Sequence, residues 1–317
     1  MKRKKRVLSI SHYYISDNRG GGEVMLHELL KSLVDRDYAV EAIVTWTEGD
    51  TLDIDSVTIY RGKKHLQNVS SKYDLIVSHF HEADKAIELG EKFNVPVVFV
   101  AHNTFDNTAK TLSKNPDLVV FNTEWVRKFH NYNGNSIVVH PPVYAEDHRT
   151  THGAKITLVN LIPSKGSVMF YNLSILMKGF QFLGVEGGYY KERQEKRIRD
   201  NVEIQSNTDD MKTDVWSKTK ILLMPSSYES YGMVGVEAMA SGIPVVAMRT
   251  PGLEESLSYA GIFPRNNSLP EWIREIKLLH NPEVYEIASN KALKRSKEIN
   301  PKIELNKFAD KVEELIR

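Results

Sequence analysis

Short apolar runs alternate with segments whose apolar residues recur at every third or fourth position, almost throughout the chain. The runs 6-RVLSI-10, 39-AVEAIV-44, 74-DLIVSHF-80, 95-VPVVFVAH-102, 117-DLVVFN-122 and 136-SIVVH-140 have the length and composition of buried strands. Between them, 23-EVMLHELLKSLVDR-36 and 82-EADKAIELGEKF-93 have helical spacing. Near-continuously apolar strands separated by helices predict a parallel sheet covered on both faces. The pattern then restarts with strands at 155-KITLVN-160, 181-QFLGV-185, 202-VEIQS-206, 220-KILLMPS-226 and 244-PVVAM-248, and with helices over 167–178, 209–218 and 230–241. Between the halves, 141-PPVYAEDHRTTHGA-154 is proline-led and poor in apolar residues, as a linker is. We therefore expect a first domain over 1–148, a second over 149–300, and a helix over 301–317 packing back toward the first. The tail from 270 carries two helical patterns split at Pro301. Two doubly wound α/β domains facing one another would open a cleft between the carboxyl ends of both sheets.

Composition narrows this without redirecting it. At 317 residues the chain has room for two ordinary domains, and 41% hydrophobic with 26% charged residues is a globular composition. The net charge of +1 sets up no global field for nucleic acid or membrane. Residues 1–148 hold 18 Lys/Arg against 20 Asp/Glu, leaving 24 against 21 beyond, so neither half is polarised. With no cysteine, disulfides, thiolate metal sites and a Cys nucleophile are excluded. The basic start 1-MKRKKRVLSISHYY-14 lacks the long apolar run and cleavage site of a signal peptide, and no stretch is apolar enough to span a bilayer. The expectation is a cytoplasmic protein, with the membrane surface as an alternative station.

Three strand ends carry anion-binding features. 19-RGGGE-23 follows the first strand and opens a helix, so Gly21 and Gly22 let a ligand approach the free amides of its first turn. Lys165 in 163-PSKG-166 follows the strand 155–160 and can meet a phosphate as a point charge. In 228-YESYGMVGVEAMASGIPVVA-247, Ser230 is the expected N-cap, leaving the amides of Tyr231, Gly232 and Met233 free. Glu229 precedes this helix. Glu237 lies two turns inside it, among Val236, Ala238, Met239 and Ala240, where a carboxylate needs partners. A salt bridge or the two vicinal hydroxyls of a ribose would serve.

The segment 220-KILLMPSSYESYGMVGVEAMASGIPVVA-247 resembles the signature of retaining family-4 glycosyltransferases of the GT-B fold, whose Glu-x7-Glu motif matches Glu229 and Glu237. The resemblance covers most of the chain: 21-GGE-23, 97-VVFVAHN-103, 118-LVVFNTEW-125, 137-IVVHPPV-143, 158-LVNLIPSKG-166 and 252-GLEES-256 are similar to family elements in the same order. It implies transfer of a sugar from a UDP- or GDP-sugar to an acceptor hydroxyl, with no cofactor and no metal. Lys165 and the amides from Ser230 to Val234 would hold the donor diphosphate, with Gly21 and Gly22 closing over the phosphates. Glu237 would bind the ribose and Glu229 the transferred sugar, with His102 near the anomeric centre. 204-IQSNT-208 would seat the base. The helix start and Lys165 would stabilise the leaving diphosphate electrostatically. The acceptor would be a glycan, a lipid-linked sugar or a small molecule.

Asn160 departs from the family pattern. It stands where an Arg usually binds the diphosphate, and it brings no charge. The other readings are a fold-mate acting on hydroxymethylated DNA bases and a non-catalytic nucleotide-sugar-binding protein. His79 and His81 in 78-SHFHEAD-84, two apart on a strand, would share one face, but no third metal ligand stands at a recognisable spacing. The alternating charges of 191-KERQEKRIR-199 read as a solvated face. A dinucleotide site is excluded because 19-RGGGE-23 is not G-x-G-x-x-G.

Overall fold

The computed structural model describes residues 3–187 and 196–317, so most of 191–199 lies outside the described residues. The chain forms two compact units, Met1–Pro142 with Pro301–Arg317, and Val143–Asn300. The junction falls at Pro142/Val143, a few residues before the expected 148/149. The reason is the short helix Ala145–His148, whose final carbonyl accepts a hydrogen bond from the Ser241 hydroxyl of the second unit at 2.9 Å.

The first unit is built on eight strands: β1 (Arg6–Ser11), β2 (Ala39–Val44), β3 (Leu52–Ile54), β4 (Val57–Arg61), β5 (Leu75–His79), β6 (Val97–Ala101), β7 (Leu118–Phe121) and β8 (Ser136–Val138). Their order is β3-β4-β2-β1-β5-β6-β7-β8, parallel except for the β3–β4 edge pair. The apolar runs form strands because both faces are covered. Leu8, Ile10, Ile76, Phe99 and Phe121 are buried on one face, and Val7, Val77, Val98, Val100 and Val120 on the other. From β1 the chain moves outward through β2 and β4, then crosses back to β5 on the other side of β1. Such a reversal opens a crevice beyond the carboxyl ends of β1 and β5, which is where open α/β sheets bind ligands.

The helix Pro301–Leu315 belongs to this unit and buries Leu305, Phe308, Ala309 and Val312. Arg36 grips it through Asp310 at 2.8 Å and Glu313 at 3.0 Å, and Glu304 accepts hydrogen bonds from the amide of His140 and pairs with its Nδ1 at 2.9 Å.

The second unit has β9 (Lys155–Val159), β10 (Phe182–Val185), β11 (Val202–Gln205), β12 (Thr219–Met224), β13 (Val245–Ala247) and β14 (Gly261–Ile262). They are all parallel, in the order β11-β10-β9-β12-β13-β14. Alternate residues of β12 face opposite cores: Leu222 and Met224 one side, Ile221 and Leu223 the other. This is the two-sided burial that a continuous apolar run encodes. Here the reversal lies between β9 and β12.

Several expectations need correction. The helix foreseen over 230–241 begins only at Met233, and the one over 209–218 is a short helix Met211–Asp214 followed by a 3₁₀ turn Trp216–Lys218. The tail holds three helices, Leu269–Leu278, Pro282–Glu298 and Pro301–Leu315. Asn281 caps the second by accepting from the amides of Glu283 and Val284. Strands β3, β4 and β14 were not foreseen.

Candidate active site

In the second unit the β9 and β12 loops meet at the sheet's reversal. After β9 the backbone turns at Asn160, whose φ of 73° is left-handed, then runs through a 3₁₀ turn Pro163–Lys165 into Gly166 and the helix Ser167–Leu176. Asn is among the few side chains that tolerate that conformation, which gives a backbone reason for Asn160 where an Arg was expected. Gly187 lies so close that a Cβ there would sit 2.1 Å from Asn160 Oδ1. After β12, the amide of Ser227 donates to the carbonyl of Ser164 at 3.3 Å. The Pro225 ring occupies the space a Gly166 side chain would need, with a Cβ at 2.3 Å from its Cγ. These contacts register the two loops, and across them Lys165 Nζ donates to Glu229 Oε1 at 2.7 Å. The two side chains are 31% and 12% exposed, so the ammonium keeps access to solvent while the carboxylate is mostly covered.

A third loop fixes Glu229 from behind. Thr250 caps the helix Pro251–Leu257 by accepting from the amide of Leu253. Its second residue, Gly252, passes so close that a Cβ would lie 2.2 Å from the carbonyl oxygen of Glu229 and 2.5 Å from that of Ser230. Only glycine permits that approach.

Ser230 is not the N-cap. Gly232 holds that position with a φ of 82°, and no side chain caps the helix Met233–Met239. Ser230 and Tyr231 therefore belong to the loop, and Tyr231 is buried in the core. The helix's first amides are those of Met233 and Val234, while that of Gly235 donates to the carbonyl of Gly232 at 3.0 Å. Glu237 projects from this helix with its side chain 13% exposed. His148 lies beside it, with Nδ1 3.9 Å from Oε2, beyond hydrogen-bond reach. Burial pushes the Glu237 carboxyl up to about 7 and pushes His148 down, so the imidazole supplies little charge. A carboxylate held in this state gains from any ligand that brings hydroxyl donors to it. The segment 204–208 starts at the end of β11, and Ser206 and Asn207 are exposed.

In the first unit, Gly20 caps the helix Gly21–Val34, so Gly21 and Gly22 are its first two residues. A Cβ on Gly22 would meet the Phe80 ring at 2.7 Å and His102 Cδ2 at 3.8 Å. His102, at the end of β6, stacks against Phe80 at 4.6 Å between ring centres. Its Nε2 lies 3.1 Å from Nδ1 of His79, which is fully buried. Burial holds His102 down at about 3 and His79 well below its usual value, so both rings are neutral near pH 7 and one N–H donates to the other's lone pair. Nε2 of His79 has no hydrogen-bond partner among the described residues.

His79 and His81 do not share a face. The strand ends at His79, and Phe80, with a left-handed φ of 48°, turns the chain into the 3₁₀ turn Phe80–Glu82. The sequence places His79 on a strand beside His81, and its pairing with His102 comes from the adjacency of β5 and β6. Sequence reasoning passed over Glu23, which is buried, lacks a partner for Oε2 among the described residues, and is pushed up to about 7 by burial. Its place directly after the glycines was the available signal.

With this geometry in view, residues 156–295 match the family model described as glycosyl transferases group 1. The second unit is a glycosyl transferases group 1 domain. Over 88% of its length the chain is 23% identical to an uncharacterized glycosyltransferase of Methanocaldococcus jannaschii, covering 90% of that relative. A stretch holding 33% of the chain is 30% identical to a sulfoquinovosyl transferase of Arabidopsis thaliana and covers 22% of it. Among solved structures, sucrose-phosphate synthase from Thermosynechococcus elongatus superposes with a TM-score of 0.77 at 14% identity, over 98% of this chain and 99% of that one. HepE of Anabaena in complex with UDP-glucose gives 0.77 at 17% identity, over 98% and 99%. The group 1 domain thus sits in a chain of GT-B fold, two Rossmann-like units each built on a parallel sheet. Among the described residues no helix is long and apolar enough to cross a membrane.

Proposed function

We propose that the protein is a retaining glycosyltransferase that moves a sugar from a nucleoside diphosphate sugar to an acceptor hydroxyl without a metal ion. The observation that carries this is the Lys165–Glu229 pair at the reversal of a group 1 domain, with Glu237 buried on the adjoining helix. In this reading a diphosphate draws Lys165 away from Glu229. The ammonium and the amides at the start of Met233–Met239 then stabilise the charge that develops on the leaving group. Glu229, released, accepts hydroxyls of the transferred sugar, and Glu237 accepts those of the ribose. Ser230, Tyr231 and Gly232 shape the approach to these amides, and Asn160 contributes a neutral donor in place of a charge.

His102 is neutral, which suits a polar contact with the sugar rather than a proton donor to the leaving group. Gly21 and Gly22 open the helix Gly21–Val34 of the first unit, where free first-turn amides suit a phosphate. Attack on the donor's own face with the diphosphate oxygen taking the acceptor's proton needs no side-chain nucleophile. The HepE complex makes UDP-glucose the first donor to try.

The test is incubation with UDP-, GDP- and ADP-sugars in a chelator, following nucleotide release and the anomeric configuration of the product by NMR. Release undiminished by chelator, with a retained anomer, is expected. An inverted product or a requirement for divalent metal overturns the mechanism. Tight binding without donor turnover makes the protein a nucleotide-sugar binder instead.

A further inference from the structure

Beyond β1, β2 and β5, the first unit gathers a group of side chains that the donor chemistry does not use. His12 and Tyr13 follow β1, Trp46 follows β2, and His81 and Glu82 lie in the turn after β5. The rings touch in series. His12 lies 4.5 Å from the Trp46 indole and 4.8 Å from Tyr13, with His81 at 5.5 Å. Tyr13 meets the indole edge-on at 6.5 Å and 71°.

Trp46 is nevertheless 61% exposed, an expanse of apolar ring left in water at the mouth of the sheet's reversal. Beside the rings, Glu82 Oε1 accepts the Thr45 hydroxyl at 2.6 Å and lies 3.7 Å from His12 Nδ1. A carboxylate retains further acceptor positions after one such bond. Phe80, the residue before His81, carries the stack on His102, so this group is continuous along one turn with the His102 cluster.

We propose that this group is a subsite for a neutral carbohydrate ring, which stacks on Trp46 and places its hydroxyls toward Glu82, His81 and His12. The inference rests on the glycosyltransferase reading and names its acceptor as a glycan. A sugar ring offers an apolar C–H face to an indole and hydroxyls at its edge, the two chemistries set side by side here. Charge argues against the other acceptors. The loop after Trp46 carries Glu48, paired with Lys64 at 3.4 Å, and Asp50, and Glu82 adds a carboxylate at the rings. Even with Lys64 and Arg61 beside them, these carboxylates offer no cationic cluster to hold a phosphodiester or an anionic headgroup, whereas a neutral ring needs none.

Trp46 also supplies the probe. Trp216 and Trp272 are fully buried and Trp125 is half-buried, so acrylamide quenching of the red edge of the fluorescence reports chiefly on Trp46. The full chain is titrated with methyl α-glucoside, methyl β-galactoside, methyl α-mannoside, N-acetylglucosamine and maltose, and separately with phosphatidylglycerol vesicles and a single-stranded oligonucleotide. Protection by at least one saccharide is expected. Trp46→Ala abolishes the signal, so its affinity is read calorimetrically and should fall ~10-fold or more, while Trp46→Tyr recovers part of it. Phe129→Ala, an exposed aromatic elsewhere on this unit, should leave protection unchanged.

Protection by no saccharide overturns the proposal. So does a blue shift with vesicles, which assigns Trp46 to a membrane, or protection by the oligonucleotide alone. Thermal shifts with UDP-, GDP- and ADP-glucose on the same preparation separate the two readings. Stabilisation by a nucleotide sugar with no saccharide effect removes this subsite and leaves the function. Saccharide protection with no nucleotide effect removes the function and leaves a sugar-binding surface.

Discussion

Replacing Glu237 by Gln keeps the shape of the side chain and removes a charge that the fold opposes. Desolvation alone raises this carboxyl from 4.5 to about 7. Between those values the folded chain binds a proton that the unfolded chain releases, so stability falls as pH rises through that window and levels off above it. A shift of about 2.5 units corresponds to about 3 kcal/mol at pH 8. Glutamine escapes this cost. Glu237→Gln should therefore be more stable than the parent by up to about 3 kcal/mol at pH 8, a rise of roughly 6–12 °C in the melting of the second unit. The gap should shrink below about 1 kcal/mol at pH 5, where the folded Glu237 is already protonated. Glu23 titrates in the same range but is present in both proteins and cancels. Denaturant or calorimetric melts at the two pH values measure the gap, and titration with UDP reads the cost. Losing a charged acceptor for two hydroxyls should weaken UDP roughly 10- to 100-fold. Parent affinity should also fall as pH drops below about 7, because the proton competes with the ribose. A variant no more stable at pH 8, or a gap equal at both pH values, refutes the desolvation argument. Unchanged UDP affinity refutes the ribose assignment alone.

Substitutions at four further positions probe the rest of the site. Lys165→Ala should weaken UDP about 10-fold or more, since charge-assisted hydrogen bonds contribute about 1.5–3 kcal/mol, whereas Glu229→Gln should cripple transfer and spare UDP binding; calorimetry and single-turnover kinetics separate the two, and full activity in Glu229→Gln removes its assigned role. His79→Phe deletes the partner of His102 Nε2 while filling the buried space. Transfer should slow with the donor KM nearly unchanged and His79→Asn partly restoring the rate, whereas equal losses in both variants would reduce His79 to packing. Gly252→Ala drives a methyl into the carbonyls of Glu229 and Ser230, so activity should fall with a lowered Tm, and wild-type kinetics would show that the loop yields freely.

How much of this the sequence disclosed follows from what each signal depends on. The central strands were legible because each is buried on both faces, leaving continuous runs such as Val97–Ala101 and Leu118–Phe121. The edge strand β3 and its neighbour β4, Leu52–Ile54 and Val57–Arg61, are short and carry Asp53, Thr58 and Arg61, so no run marks them. Short helices such as Asp106–Leu112 offer too few turns for a period to show. Propensity favoured Ser230 as a cap, yet the left-handed φ of Gly232 set the helix start, because the loop must clear Leu253, 2.5 Å from where its Cβ would be. In the same way Asn160 looked like a lost charge until its φ gave the residue a backbone role.

The pairings within the site lay beyond composition and spacing altogether. Lys165 meets Glu229 because β12 lies beside β9 while β10 and β11 turn to the other side, and His79 meets His102 because β5 lies beside β6. Each residue could be singled out along the chain, but its partner is chosen by strand order, which local pattern does not encode. The Trp46 subsite makes the same point more sharply. Its residues come from three separate strand ends, and none belongs to a recognisable motif. The reversal between β1 and β5 brings them together, so the specificity of this unit is written in its topology before it is written in any one residue.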